Sequence, residues 1–460
     1  MKPNPPAETT PPTAGALYRA AWRWHFYAGI IAAPLAIFLA ITGALYLWTP
    51  QYEEATYRNM LNVPIGTSTV SAESQMAAAQ AAFPKGRVLT FEPAFTPGRA
   101  SETRMRLPDD DRAYVLVDPY TGKVTGSYLA SQRAKSILHD LHGSFMAGKY
   151  GGYIVELGAS WMFVLLLTGF YLWWPRPKFS IWGFLLPRLR AKGRVFWRDI
   201  HAVPAVWFSF AMLFLLATGI PWSGTGGKWV RSISSAIGEG SPDNRSPSTH
   251  HSEVFGWSPP LKRGLADLVN NAASQSGAAA STKAQAPSRI SIDQAIAIAN
   301  ERNVEAPFAI TMPIGTTGVI SAMSSGDQIY ARAHLHLDQY SGKVIADVRY
   351  KDYGFFGKFF LWGIIAHEGH LFGLANQILG TIACFGVIVI SASGLVLWWK
   401  RKPEGKLGAP VSQASLPKPM LIGTLLTATL LPLLAGSLVL LFLVDLLITQ
   451  RIPWLRQKAA

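Results

Sequence analysis

The 460-residue chain has a mean hydropathy of +0.19 and is 49% hydrophobic but only 15% charged; a soluble domain carries about a quarter charged residues, so an ordinary soluble globule is excluded. Its formal charge of +15 does not imply nucleic acid, because much of it borders apolar runs, as basic residues do at the inner ends of membrane spans. The one cysteine, Cys384, lies inside such a run and reads as a small buried hydrophobe, which excludes a disulfide framework and Cys-based zinc or iron–sulfur sites.

Runs long enough to cross about 30 Å of hydrocarbon occur near 25–48, 153–174, 203–222, 375–399 and 420–449, so five spans are expected. In chain order, a cytoplasmic tail (1–20) leads into a first span within 21–49 that opens at His25 and later carries Thr42-Gly43. Residues 50–136 read as an external α+β domain. Ser71 caps an Ala-rich helical stretch, and Tyr114-Val-Leu-Val-Asp118 alternates as a strand before turning at Gly122-Lys.

Residues 137–175 hold His139 and His142 one helical turn apart, then a second span with Thr168-Gly169 and the interfacial pair Trp173-Trp174. His142 precedes Trp173 by about 31 residues, roughly 46 Å of helix and more than the bilayer thickness. A break at Gly148-Lys-Tyr-Gly-Gly152 is therefore expected, leaving His142 on a short external helix.

A basic cytoplasmic loop (176–198) contains Arg176, Lys178, Arg188, Arg190, Lys192, Arg194 and Arg198. The third span (199–222) opens at His201 and carries Thr218-Gly219. Residues 223–358 are external again. A connector over 231–290, rich in Ser, Gly, Ala and Pro and containing the surface histidines His250 and His251, precedes a second α+β domain. There Ser291-Ile-Asp293 opens a helix, and His334-Leu-His336-Leu-Asp338 forms a strand before Gly342-Lys. His334 and His336 share one strand face, which reads as solvated, with half of a metal site as the alternative.

Residues 359–400 hold His367 and His370, a fourth span with Ser393-Gly394, and Trp398-Trp399. Lys400, Arg401 and Lys402 begin a cytoplasmic loop (401–419); a last span or hairpin (420–450) and a basic tail (451–460) follow. The Thr-Gly and Ser-Gly pairs either let helices approach closely or leave room for a flat cofactor.

The chain repeats itself. His25 with Thr42-Gly43 recurs 176 positions later as His201 with Thr218-Gly219. The external segments recur at an offset of 220, and His142 with Thr168-Gly169 recurs as His367 with Ser393-Gly394 at 225. The unit is helix, external domain, helix, used twice, with the fifth span unpaired. His25 and His201 thus begin spans at the inner surface, whereas His142 and His367 lie together at the outer one. Two such pairs supply axial imidazoles for two b-type haems within a helical bundle. His139 and His370 lack counterparts at the offset and are second candidates within each His-x-x-His.

Trp22-Arg-Trp-His25, Leu138-His139-Asp-Leu-His142-Gly, Phe196-Trp-Arg-Asp-Ile-His201-Ala and His367-Glu-Gly-His370 resemble the PepSY-associated transmembrane family, and the strand-turn segments resemble its PepSY units. The resemblance implies haem b on these membrane histidines. It also implies reduction of ferric chelates, as in bacterial inner-membrane ferric-siderophore reductases. Electrons are then expected from a flavin or NAD(P)H-dependent partner, or from quinol, because no Gly-x-Gly-x-x-Gly phosphate cradle follows a strand. The expected alternative is a membrane-anchored PepSY protein that binds peptides or regulates a periplasmic protease without redox chemistry.

Overall fold

In the computed structural model of the chain, residues 15–175, 180–242, 288–324, 328–404, 408, 422, 425–426, 429 and 431–440 are described. The tail before residue 15, Arg176, Lys178, His250, His251, most of the connector and of loop 401–419, and the basic tail lie outside these residues. So does much of the expected fifth span.

The helices are α1 (Ala16–Leu47), α2 (Thr49–Thr56), α3 (Arg58–Leu61), α4 (Ala72–Ala82), α5 (Ala134–Ser144), α6 (Gly148–Trp173), α7 (Gly193–Trp207), α8 (Ser209–Gly219), α9 (Thr225–Ala236), α10 (Ile292–Glu301), α11 (Phe355–His367) and α12 (Leu374–Arg401). Strands β1 (Arg87–Glu92), β2 (Ser101–Arg106), β3 (Arg112–Val117) and β4 (Val124–Leu129) come from the segment 50–136. The segment 223–358 gives β5 (Phe308–Thr311), β6 (Val319–Ser324), β7 (Ala333–Asp338) and β8 (Val344–Arg349). Two compact units result: Met1–Thr49, Ile137–Ile237 and Phe360–Ala460 form one, and Pro50–Ser136 with Gly238–Phe359 forms the other.

In the first unit, three helices among the described residues are long and apolar enough to cross a membrane: Leu17–Leu47, Gly148–Trp173 and Leu374–Arg401. A helix meets this need because it satisfies its own backbone in hydrocarbon. The expected third span is a helix pair bent by 57° between Trp207 and Ser209. Pro204 lacks an N–H, Ser209 donates its hydroxyl to the Val206 carbonyl at 2.6 Å, and the Phe208 ring fills the space over Gly386 of α12. Helix α1 packs on α6 and α12, and α12 on α7. Ala32, Ala36 and Leu39 interlock there with Met162 and Leu216. Residues 432–440 are helical, and Leu434 is buried against Val164 and its neighbours.

The expected break before α6 lies a few residues earlier than the glycine-rich stretch suggests. Phe145, Met146 and Gly148 take positive φ, and Gly151 sits inside the first turns of α6. A Cβ on Gly151 would collide with the Ser144 carbonyl, so this glycine lets the end of α5 cross the start of α6. His142 does lie on a separate eleven-residue helix.

The second unit holds one antiparallel sheet of eight strands in the order β4-β3-β2-β1-β5-β6-β7-β8. The strands of segments 50–136 and 223–358 thus share a sheet, joined where Thr90 pairs with Thr311 and Phe91 with Ile310. Helices α4 and α10 cover one face over Phe91, Phe308, Ile310, Ile320, Leu335 and Leu337. Burying each such side chain contributes about 1.5–3 kcal/mol. The two helix starts cap each other. Asp293 Oδ1 accepts from the Ala72 amide at 2.9 Å, and Glu73 Oε1 accepts from the Ile292 amide. The turns expected after β3 and β7 form alike: Asp118 and Asp338 accept from the amides of Tyr120 and Tyr340, each at 2.9 Å, and Gly122 and Gly342 take φ of 70° and 71°.

Candidate functional site: two facing histidine pairs

Four histidines from different parts of the sequence meet as two pairs. His25 on α1 faces His201 on α7 with ring centroids 6.2 Å apart and planes at 75°. His142 on α5 faces His367, the last residue of α11, at 6.3 Å and 71°. His25 and Thr42, which touches His142, are 17 residues apart on α1, so the pairs are separated by about 26 Å along that helix.

Each ring rests on another helix, three of them on a threonine hydroxyl. His25 Nδ1 lies 3.0 Å from Thr168 Oγ1, His142 Nδ1 3.1 Å from Thr42 Oγ1, and His367 Nδ1 3.0 Å from Thr218 Oγ1. His201 Nδ1 instead meets the Ile390 carbonyl at 2.8 Å. The adjacent glycines make the room: a Cβ on Gly169, Gly43, Gly219 or Gly394 would stand 3.1–3.3 Å from Cε1 of His25, His142, His367 or His201. The Thr-Gly and Ser-Gly pairs are therefore seats for imidazoles contributed by other helices.

The seats suit one tautomer. Each threonine hydroxyl reaches a backbone carbonyl one turn back: Thr168 to Val164 at 2.8 Å, Thr42 to Phe38 at 3.0 Å and Thr218 to Phe214 at 2.7 Å. A hydroxyl that donates there accepts from an imidazole whose proton sits on Nδ1, the tautomer that leaves Nε2 its lone pair. A carbonyl has no proton to give, so the same holds for His201. In all four rings Nε2 is the nitrogen left free of these contacts.

The second candidates are placed differently. His139 is exposed and lies 3.2 Å from Asp140, while His370 lies beyond the end of α11 with Nε2 3.9 Å from Glu368. The ring of His139 lies 6.5 Å from that of Tyr46. Among the described residues no group of three or more His, Cys, Asp or Glu side chains gathers.

His334 and His336 do not form the solvated strand face that alternation suggests. They are 4% and 1% exposed, on the sheet face opposite Leu335 and Leu337, and Ser321 Oγ meets His336 Nδ1 at 2.8 Å. Burial, aided by Arg332 and His336, pushes His334 down to about 4. Alternation fixes which side chains share a face, but burial depends on what packs over that face.

Sequence reasoning missed two buried carboxylates. Glu156, 2% exposed within α6, accepts from the amides of Thr225 and Gly226 at the start of α9, at 2.8 and 2.7 Å. Asp199, two residues before His201, is gripped by Arg188 and Arg198. An isolated acid in an apolar run was a pointer to the first.

Fold and site define a membrane protein of several spans with a β-sheet unit and two facing imidazole pairs. The chain belongs to the PepSY-associated transmembrane family: a profile described as the PepSY-associated TM region matches residues 22–401. No curated relative matches it.

Proposed function

We propose that the protein carries electrons across the bacterial inner membrane through two b-type haems, one held by His25 and His201 and one by His142 and His367, and reduces a ferric chelate in the periplasm. The observation that carries this reading is the spacing of the paired rings, 6.2 and 6.3 Å. At this spacing each pair would leave room for one metal ion between the two rings, each nitrogen at about the 2.0 Å of a metal–imidazole bond. Neutral imidazoles with Nε2 unprotonated are what such iron requires. Two imidazoles leave the remaining coordination to a group that brings its own ligands, as a porphyrin does.

When bound, haem supplies one-electron redox chemistry at iron. The chain's residues do the rest. Thr42, Thr168, Thr218 and the Ile390 carbonyl hold the rings in register, and α1 spaces the two pairs across the bilayer. The basic residues after Trp173 and Trp398 favour placing the His25 and His201 pair on the cytoplasmic side, with the sheet unit and N-terminus on opposite faces. One electron from a flavin or NAD(P)H-dependent partner, or from quinol, leaves at the outer pair and converts Fe(III) to Fe(II). A siderophore built of hard oxygen donors then releases the metal. The matched seats of the four histidines also support an internally duplicated unit of helix, external domain and helix.

The test is the visible spectrum and haem content of the purified protein from haem-replete cells. We expect a dithionite-reducible low-spin haem b at two per polypeptide, falling to about one in each of His201→Ala and His367→Ala. Folded protein without a Soret band refutes the reading in favour of a PepSY anchor. One haem in the parent refutes the two-site arrangement.

A further inference from the structure

The segment between α6 and α7 combines features that water alone does not accommodate. Ile181, Trp182, Leu185, Leu186 and Leu189 are all exposed, Trp182 at 57% and Leu189 at 66%. Five large apolar side chains within nine residues make a patch far denser than the scattered apolar residues of a soluble surface. Residues 180–198 also carry five basic side chains and no acidic one.

The segment is rigidly built. Trp173 at the end of α6 stacks on Phe184 at 3.9 Å and 9°, and donates its indole N–H to the Phe184 carbonyl at 2.9 Å. Trp207 donates likewise to the Leu185 carbonyl at 2.9 Å. The amides of Leu185 and Leu186 both reach the Ile181 carbonyl, and Gly183 turns with φ of 78°. At the far end, Asp199 accepts from the Arg188 backbone and side chain and from Arg198. That one acid is consumed inside the structure. Arg190, Lys192 and Arg194 stay exposed, with no ion pair to another described residue.

We propose that residues 181–194 form an interfacial wedge: Ile181, Trp182, Leu185, Leu186 and Leu189 enter the acyl boundary, while Arg190, Lys192 and Arg194 bind anionic phospholipid headgroups. The order of the chain requires the apolar half to lie at the membrane boundary, because it is tied to Trp173 at the end of one span and Trp207 at the bend of another. The three unpaired cations follow directly and reach headgroup depth, where each basic side chain attracts an acidic leaflet. Because Asp199 ties the wedge to the turn of α7 that carries His201, headgroup binding holds that histidine's helix at a fixed depth. The inference needs only that α6 and the α7–α8 pair border a bilayer, so it stands apart from the redox reading.

Two measurements on the full-length protein in nanodiscs test it. Nitroxide labels at Trp182→Cys and Leu189→Cys, in a Cys384→Ala background, report depth by their relative accessibility to oxygen and to a water-soluble nickel chelate. Native mass spectrometry counts retained phosphatidylglycerol against phosphatidylcholine. We expect both labels to favour oxygen. Arg190→Glu/Lys192→Glu/Arg194→Glu should weaken phosphatidylglycerol retention at least about a hundredfold, at roughly a factor of five for each basic side chain removed, with melting temperature unchanged in phosphatidylcholine. Labels that sit in water overturn the wedge, as does retention that the charge reversal leaves unchanged. If the labels sit in water and the reversal instead abolishes binding of an acidic protein donor, the surface belongs to that donor and the proposal fails.

Discussion

Replacing Thr218 by Val tests the seat of one histidine with almost no change of shape. The hydroxyl oxygen 3.0 Å from His367 Nδ1 is lost, while the Gly219 clearance beside the ring stays. The Phe214 carbonyl that the hydroxyl also contacts keeps its own helical bond, so the group that loses a contact is the Nδ1–H, which keeps the Leu215 carbonyl. The cost is therefore at or below the about 1–3 kcal/mol of a fully orphaned buried donor. Loss of an orienting partner typically weakens metal affinity about 10- to 100-fold. We therefore expect haem at the outer site to leave about 10- to 100-fold faster in Thr218→Val, measured by transfer to excess apomyoglobin, with Thr218→Ser restoring retention. Thr42→Val acts at the same site and Thr168→Val at the inner one. Ser393→Ala should change little, because His201 leans on the Ile390 carbonyl and Ser393 spends its hydroxyl on Val389 and Ile390. Equal loss in Ser393→Ala and Thr218→Val, or none in the latter, refutes the assigned seats.

Burial lowers His334 from 6.5 to about 4 in the folded sheet, so between those values the unfolded chain takes a proton that the folded chain refuses. Stability should fall as pH drops from about 6.5 to 4, by at most about 3 kcal/mol, and level off below; hydrogen exchange of β6–β8 amides, corrected for intrinsic rates, reads this, and His334→Leu should flatten it. Glu156→Leu orphans the amides of Thr225 and Gly226 and should loosen α9 by about 2 kcal/mol, seen as faster proteolysis within 223–236; an unchanged cleavage rate contradicts the capping role. Gly151→Ala should push the end of α5 off α6 and thereby loosen haem at the His142 site while sparing the His25 site. Equal loss at both sites contradicts the local account.

The sequence alone carried the membrane class, because about 20 consecutive apolar residues have few stable alternatives to a span. It also carried the four ligand candidates, because His25, His142, His201 and His367 recur at fixed offsets. The strand-turn units were legible from alternation ending at Asp118 and Asp338, which makes the same local turn wherever it occurs. The break near His142 was legible from length, although its position was not, since crossing of α5 and α6 rather than glycine content sets it.

Tertiary structure decided the rest, because contacts between distant segments leave no local period. It set the rings of His25 and His201 and of His142 and His367 face to face, and it seated three of them on a threonine hydroxyl and His201 on the Ile390 carbonyl. It joined the segments 50–136 and 223–358 into one sheet, bent the third span at Phe208, and buried His334 and His336. Most of these outcomes depend on which surfaces meet across a hundred residues or more, and a sequence period reports only which side chains face the same way.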